Sequence, residues 1–341
     1  MKSFIIGFDI SKEKINFCLL DQGIHVHEGE VVNTAKGLQT FTRQMKSLIA
    51  GLGAKQEYEV KAIMEFTGIY NNLLLNALLK TEFQIYVVHA SNIKSAGGID
   101  RLKNDKVDAR KIAEYGFRFG DKMKAWNPLD KNVQLLKILS SKRKALIKMK
   151  KSATQSQADY KKFHGANYTK LCLQIDSELK ETLEKNIRKI EQEIERLIAQ
   201  DSKLNESYKL MQTVPGIGPV TALALLVLTD NMVKFKSAKQ LACYCGVVPF
   251  ERSSGIFKGK AKVSHMANKE LKTLLHMGST TLTKTDTPFG HWYRKKISEG
   301  KNPMSVLNAL RNKMLITAFA CVKSGKPYSP QHVYSASVNC G

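Results

Sequence analysis

Four carboxylates stand where carboxylates are awkward. Asp9 closes the apolar run FIIGFDIS, and Glu65 closes the run VKAIMEF. An ionised carboxylate at the end of a buried strand is costly unless it is paired or holds a cation. Asp105 and Asp108 lie three apart in KNDKVDARKIAEYG, which puts both on one face of a helix. Two strand ends and one helix face can bring the four together at a sheet edge. Such a set repels itself and suits a divalent cation, Mg²⁺ (or Mn²⁺), which takes carboxylate and water oxygens. Two such ions about 4 Å apart can clamp a phosphate under attack. Each residue also has a plainer reading: Asp9 as a turn cap, Glu65 as a lysine partner, Asp105 as an acid favoured at a helix N-terminus. A nucleotide phosphate loop in GFDISKEK would want glycine just after the aspartate, where Ile10, Ser11 and Lys12 stand.

A second group lies in the last third of the chain. Ser253, Ser254 and Gly255 form a polar break in GVVPFERSSGIFKGKAKVSHMANKELKTLL, ahead of Lys258, Lys260 and Lys262. A serine beside a cationic, glycine-flexed strand or hairpin can attack a phosphodiester while lysines hold the backbone. The bland alternative is a common turn. VPGIGPVTA has the pattern of a helix-hairpin-helix turn, in which Gly216 and Gly218 would offer backbone N–H groups to a DNA phosphate. An ordinary helix–helix turn is the alternative. No hydrolase elbow is present, and Cys243 and Cys245 lack the second pair that a zinc site wants.

The elements that must position these residues follow from hydropathy. Strands are expected at 3–10, 13–20 and 25–32 as a meander, then a helix at 36–52, a strand at 60–66, a helix at 70–80, a strand at 83–90, and a helix at 105–119 capped by Asn104. That order is an α/β architecture with a mixed sheet. Between 131 and 170 there are eleven Lys or Arg and one Asp, with Lys142, Arg143 and Lys144 in succession. Such a segment lies along nucleic acid or forms the solvated face of a long helix. Ile175, Leu179, Leu183, Ile187, Ile190, Ile194 and Leu197 then mark an amphipathic helix or coiled-coil arm. The expected domains are 1–127, a basic helical arm at 128–207, a mostly helical domain at 208–325 and a tail at 326–341.

Composition narrows the function classes. With 54 Lys plus Arg against 30 Asp plus Glu, the 341-residue chain carries a net charge of +24. That far exceeds the roughly 2–8 charges that solubility asks of a domain, and an excess of this size usually faces phosphate. Apolar residues at 43% and charged residues at 25% exclude a disordered chain. No apolar run nears the roughly 20 residues of a membrane helix, and MKSFIIGFDISKEK does not read as a secretory leader. A cytoplasmic protein without a membrane partner is expected.

The motifs GFDISKEK, MEFTGIY and KNDKVDARKIAEYG, followed by VPGIGPVTA and LACYCGVVPFERSSGIFKGKAKVSHMANKELKTLL, resemble the insertion-sequence one-ten family of transposases, the bridge-RNA-guided recombinases. The resemblance runs over about 4–323 in the family's order. It implies an RNase H/RuvC-like N-terminal domain whose DEDD tetrad, here Asp9, Glu65, Asp105 and Asp108, binds Mg²⁺. It also implies a coiled-coil arm and a C-terminal domain with a nucleophilic serine, matched by Ser254, with Ser253 adjacent. A guide (bridge) RNA would pair with donor and target DNA, and a tetramer built from dimers would exchange strands. Phe66 stands where the family usually has alanine, and His265 and Met266 where a basic residue is usual. A RuvC-type nuclease that cuts Holliday junctions with the tetrad alone, and a non-catalytic nucleic-acid-binding protein, are the competing functions.

Overall fold

The computed structural model describes residues 2–53, 57–96, 104–164, 170–254, 257–263 and 267–330. The chain divides into two compact units, Met1–Pro128 and Leu129–Gly341.

The first unit is built on one five-stranded sheet. Strands β1 (Lys2–Ile10), β2 (Lys14–Asp21) and β3 (Ile24–Val32) form an antiparallel meander. Gln22 and Gly23 join β2 to β3 with φ of 49° and 87°, the left-handed pair that a tight hairpin needs. Strands β4 (Tyr58–Glu65) and β5 (Gln84–Val88) add in parallel, giving the order β3-β2-β1-β4-β5. Meander plus parallel crossovers gives the mixed α/β sheet that the order of elements in the sequence foresees.

Side chains alternate across this sheet with period two. Phe4, Ile6, Phe8, Ala62 and Met64 pack with α1 (Ala35–Gly53) and α2 (Asn72–Leu78) through Leu38, Phe41, Met45 and Leu74. Ile5 and Ile63 face the other way, onto Ala109, Ile112 and Ala113 of α4 (Asp105–Phe119). Gly7 lies between them. A methyl group there would sit 2.3 Å from the Ala113 nitrogen and 2.4 Å from the Ala109 carbonyl oxygen. The helix backbone therefore rests directly on β1.

Two local features depart from expectation. The helix foreseen at 70–80 starts as a 3-10 turn at Gly68–Asn71 before α2 begins. Buried Asn71 explains the break. It accepts from the Thr67 amide at 2.7 Å and donates to the Glu65 carbonyl at 2.8 Å. The polar stretch after β5 also contains a short helix, α3 (Ala90–Ala96).

The second unit is mostly helical. Helices α5 (Lys131–His164) and α6 (Lys170–Gln200) run antiparallel, tied by Arg143 to Glu191 at 2.6 Å and Lys150 to Glu184 at 2.7 Å. Leu183, Ile187, Ile194 and Leu197 of the α6 stripe are buried and Ile190 partly so, whereas Ile175 is 52% exposed. Helices α7 (Ser202–Gln212), α8 (Pro219–Thr229) and α9 (Ala238–Tyr244) follow. An antiparallel hairpin comes next, β6 (Pro249–Ser254) and β7 (Phe257–Val263), then α10 (Lys269–Leu282), α11 (Pro288–Ser298) and α12 (Pro303–Ser324). Met211, Leu225, Leu275, Phe289, Leu310 and Met314 form the centre of its core. Among the described residues, no helix is long and apolar enough to cross a membrane.

The close approach of α4 to β1 gives a direct test. Gly7→Ala forces two backbones apart and is expected to destabilise by about 1–3 kcal/mol or more. Gly51→Ala, in α1 with nothing within 4 Å of the added methyl, is expected to stabilise by about 0.5–1 kcal/mol. Urea denaturation of the full chain with both variants measures the difference.

Candidate active site

The tetrad is assembled by three elements of the first unit. Phe8 of β1 pairs with Met64 of β4, so Asp9 and Glu65 occupy the next position on neighbouring parallel strands. Both fall on the α4 face of the sheet, in phase with Ile5 and Ile63. Helix α4 presents Asp105 and Asp108 on the same stripe as Ala109, Ile112 and Ala113. Its first turn is fixed by Asn104, whose side chain accepts from the Lys106 amide at 3.2 Å. The four predicted carboxylates thus meet on one face, at the C-terminal end of β1 and β4.

Their charges act on one another. The Asp9 carboxyl is pushed up from 3.8 to about 6, first by burial and then by Asp105, Asp108 and Glu65. The cluster is open. Among the described residues, no three tetrad carboxylates bring their oxygens within 4.8 Å of one another. Lys14 approaches Asp105 at 3.9 Å and Lys111 approaches Asp108 at 3.3 Å. An all-oxygen set that repels itself and raises one member toward neutrality matches the donor chemistry of a hard divalent cation. The residues present fit such an ion, with side-chain rotation needed to close around it.

Sequence reasoning missed the residues that hold α4 in place. Arg110 donates to Glu28 of β3 at 2.8 Å, and His25 joins the same carboxylate at 3.1 Å. Cys18 lies against this group, its thiol pushed up to about 11 chiefly by burial. Cys18, His25 and Glu28 have metal-ligating atoms within 4.8 Å of one another. The Arg110 guanidinium already supplies the positive charge on Glu28, so the group reads as a strut between β3 and α4. Only Gly7 left a trace in the sequence, as a glycine inside an apolar strand.

The second unit holds the other candidates. Ser253 and Ser254 lie in β6, in register with Lys258 and Phe257 of β7, while Gly255 and His265–Met266 fall outside the described residues. Lys258, Lys260 and Lys262 all belong to β7. Of the two glycines in the turn between α7 and α8, Gly216 has φ of 86°. A methyl there would press on Met314 and Leu282, at 2.7 and 2.8 Å. Gly218 is open, with nothing within 4 Å, at the N-terminus of α8. In the basic triplet, Lys142 is exposed, Arg143 is committed to Glu191 and Lys144 pairs with Glu270.

The comparisons with known proteins identify the class, a transposase. Residues 6–158 match a DEDD family model described as a transposase, and residues 208–294 match the model described as Transposase IS116/IS110/IS902 family. The chain belongs to the IS116/IS110/IS902 family of insertion-sequence transposases. It is 26% identical over 340 residues to the pilin gene-inverting protein of Moraxella lacunata, covering 96% of this chain and 98% of that one. It is 32% identical over 123 residues to the transposase for insertion sequence element IS1111A of Coxiella burnetii, covering 34% of each. T. thermophilus RuvC in complex with Holliday junction substrate aligns with 36% of this chain and 99% of its own, at 9% identity and a TM-score of 0.27.

The raised Asp9 has a stability consequence. Its folded-state value, about 6, exceeds the ordinary 3.8. The stabilisation from protonated Asp9 is therefore full below about pH 3.8 and is lost as pH rises through about 6. In a chelating buffer at pH 8, Asp9→Asn is expected to raise stability by about 1–2 kcal/mol, after discounting for solvent screening, and to gain nothing at pH 3.5. Calorimetric melting at the two pH values checks the sign.

Proposed function

We propose that this transposase cuts and rejoins donor and target DNA with two sets of groups, the Asp9, Glu65, Asp105 and Asp108 tetrad and a serine of β6. The observation that carries the reading is the meeting of four carboxylates on one sheet face, with Asp9 raised by its neighbours. Those four residues would hold Mg²⁺ or Mn²⁺, which when bound neutralises phosphate charge and stabilises a departing oxygen.

The chain's own chemistry is nucleophilic. The hydroxyl oxygen of Ser254 forms a bond to a DNA phosphorus, and the bond from that phosphorus to the leaving strand's oxygen breaks. The serine proton is given up and the freed strand ends in a hydroxyl. The phosphodiester energy stays in the serine–DNA link, so a second strand's hydroxyl can reverse the step and no ATP is consumed. Lysines 258, 260 and 262 of β7 would hold the DNA backbone. Gly218 offers the open N-terminus of α8 to a further phosphate.

Nucleic acid has a second surface along α5. A groove there is lined by Lys148, Lys151, Gln155, Tyr160 and Phe163. Cations beside exposed rings suit a flexible strand, which stacks bases and tracks phosphates. This supports an element-encoded guide RNA that reads donor and target by base pairing, with side chains needed only for the backbone. The relative named for pilin gene inversion supports DNA rearrangement over plain hydrolysis. An assembly of four chains, built from dimers, completes the reading.

The test is recombination between donor and target plasmids in cells, with the gene in its native flanking DNA and junctions read by sequencing. Wild type is expected to form junctions. Asp9→Ala and Ser254→Ala are each expected to reduce them at least 10³-fold, while Ser253→Ala retains them. Junctions surviving in Ser254→Ala and lost in Ser253→Ala would move the nucleophile by one residue. Cleavage of a four-way junction by both serine variants, without rejoining by the wild type, would replace the proposal with a RuvC-type nuclease.

A further inference from the structure

Arg311 carries a buried charge with no counter-charge among the described residues. It lies in the middle of α12 with 6% of its surface exposed. Its Nε is buried and has no hydrogen-bond partner, and among the described residues no carboxylate pairs with it. Burial pulls its pKa below the usual arginine value. A solvated surface arginine needs no explanation, but an interior one is almost always paired. His276 of α10 is its neighbour. Burial, and then the charge of Arg311, hold the imidazole below its ordinary pKa, which favours the uncharged ring. The Nδ1 of His276 is buried without a partner as well. A guanidinium and a neutral imidazole with no acid beside them form a donor set for an anion.

The place of this pair in the second unit indicates which anion. One turn before Arg311 on α12, Asn308 donates to the Val247 carbonyl at 2.8 Å, just ahead of β6. One turn after it, Met314 packs against Gly216 of the glycine turn and Gly278 of α10. Arg311 thus sits on α12 between the root of the serine hairpin and the turn that leads to the open α8 N-terminus. The hairpin that follows Val247 and the α8 N-terminus that follows Gly216 are the places assigned above to phosphates.

We propose that Arg311, with His276 beside it, is a receptor for one phosphodiester of the DNA engaged by the C-terminal unit. The inference rests on the DNA reading given above. The planar fork of arginine matches two phosphate oxygens at once, and its desolvation makes each bond stronger than at a surface. The competing occupant is a carboxylate from a second copy of the chain.

Binding of the full chain to a fluorescent four-way DNA junction tests this at 50–200 mM salt, with thermal melting and sedimentation in parallel. Arg311→Met is expected to melt at or above the wild-type temperature, because it removes an unpaired buried charge. The same variant is expected to bind the junction about tenfold more weakly or worse, with the salt slope reduced by about one. Arg311→Lys keeps the charge but not the fork, and is expected to bind about threefold to tenfold more weakly. A lower melting temperature for Arg311→Met with unchanged affinity and slope would make the residue structural and overturn the proposal. Unchanged affinity with loss of self-association would assign the site to a partner carboxylate and also overturn it. Should Arg311→Met fail to fold, unchanged affinity in Arg311→Lys decides against the phosphate. A wild type that does not bind the junction would instead overturn the DNA reading itself.

Discussion

The contact of the α4 backbone with strand β1 governs the first unit. Gly7 has no side chain, so the carbonyl of Ala109 and the amide of Ala113 can lie where a methyl would otherwise be. Gly116 repeats the device one turn further along, against Ile63 and Ile5. A helix held this close has little freedom to roll. The stripe that contains Ala109, Ile112 and Ala113 also contains Asp105 and Asp108, so packing at one end aims the carboxylates at the other. The Arg110–Glu28 pair resists rotation from the side, and Asn71 pins the carbonyl of Glu65 on the facing strand. The acids are exposed enough to be soft individually. Their convergence is rigid because the backbones beneath them are.

That rigidity is set against electrostatics. Four carboxylates on one face lower the stability of the folded state whenever all are ionised, and Asp9 records this by shifting to about 6. In a chain of net charge +24, nearby lysines could have neutralised the cluster fully. Among the described residues, Lys14 and Lys111 are the ones paired with it, and each reaches an outer member on α4. The inner pair on the strands is left without a basic partner among the described ion pairs. A fold optimised for stability would pair or remove those acids. One that keeps them has a use for concentrated negative charge.

Most of this architecture was legible in the sequence because it depends on local signals. A continuous apolar run marked β1, alternation marked β2, Asn104 marked the start of α4, and the spacing of Asp105 and Asp108 placed them on one helix face. What remained hidden depends on partners far apart in the chain. Arg110 and Glu28 are 82 residues apart, and nothing in either segment announces the other. The basic triplet is a second instance. Three successive cations read alike, yet Arg143 and Lys144 are committed to Glu191 and Glu270 while Lys142 faces solvent. The α6 stripe has one period throughout, yet Ile175 is exposed and Leu183 is buried. Arg311 is the extreme case, since a lone arginine in a helix gives no sign of whether it will be buried.

The two units carry complementary costs. The first concentrates partly neutralised negative charge at a sheet edge, and the second buries a positive charge with no acid beside it among the described residues. Each arrangement lowers stability by itself, because desolvated charge is expensive without a counter-charge. In the reading proposed above, divalent cations would answer the first and a DNA phosphodiester the second. An enzyme that held its charges satisfied internally would have to break those pairs before binding DNA. One that leaves them unsatisfied takes that loss during folding, and contact with DNA and its cations then recovers it. On this account the same residues that weaken the isolated chain strengthen the complex. Stability and DNA affinity should therefore move in opposite directions when they are replaced by neutral residues of similar size.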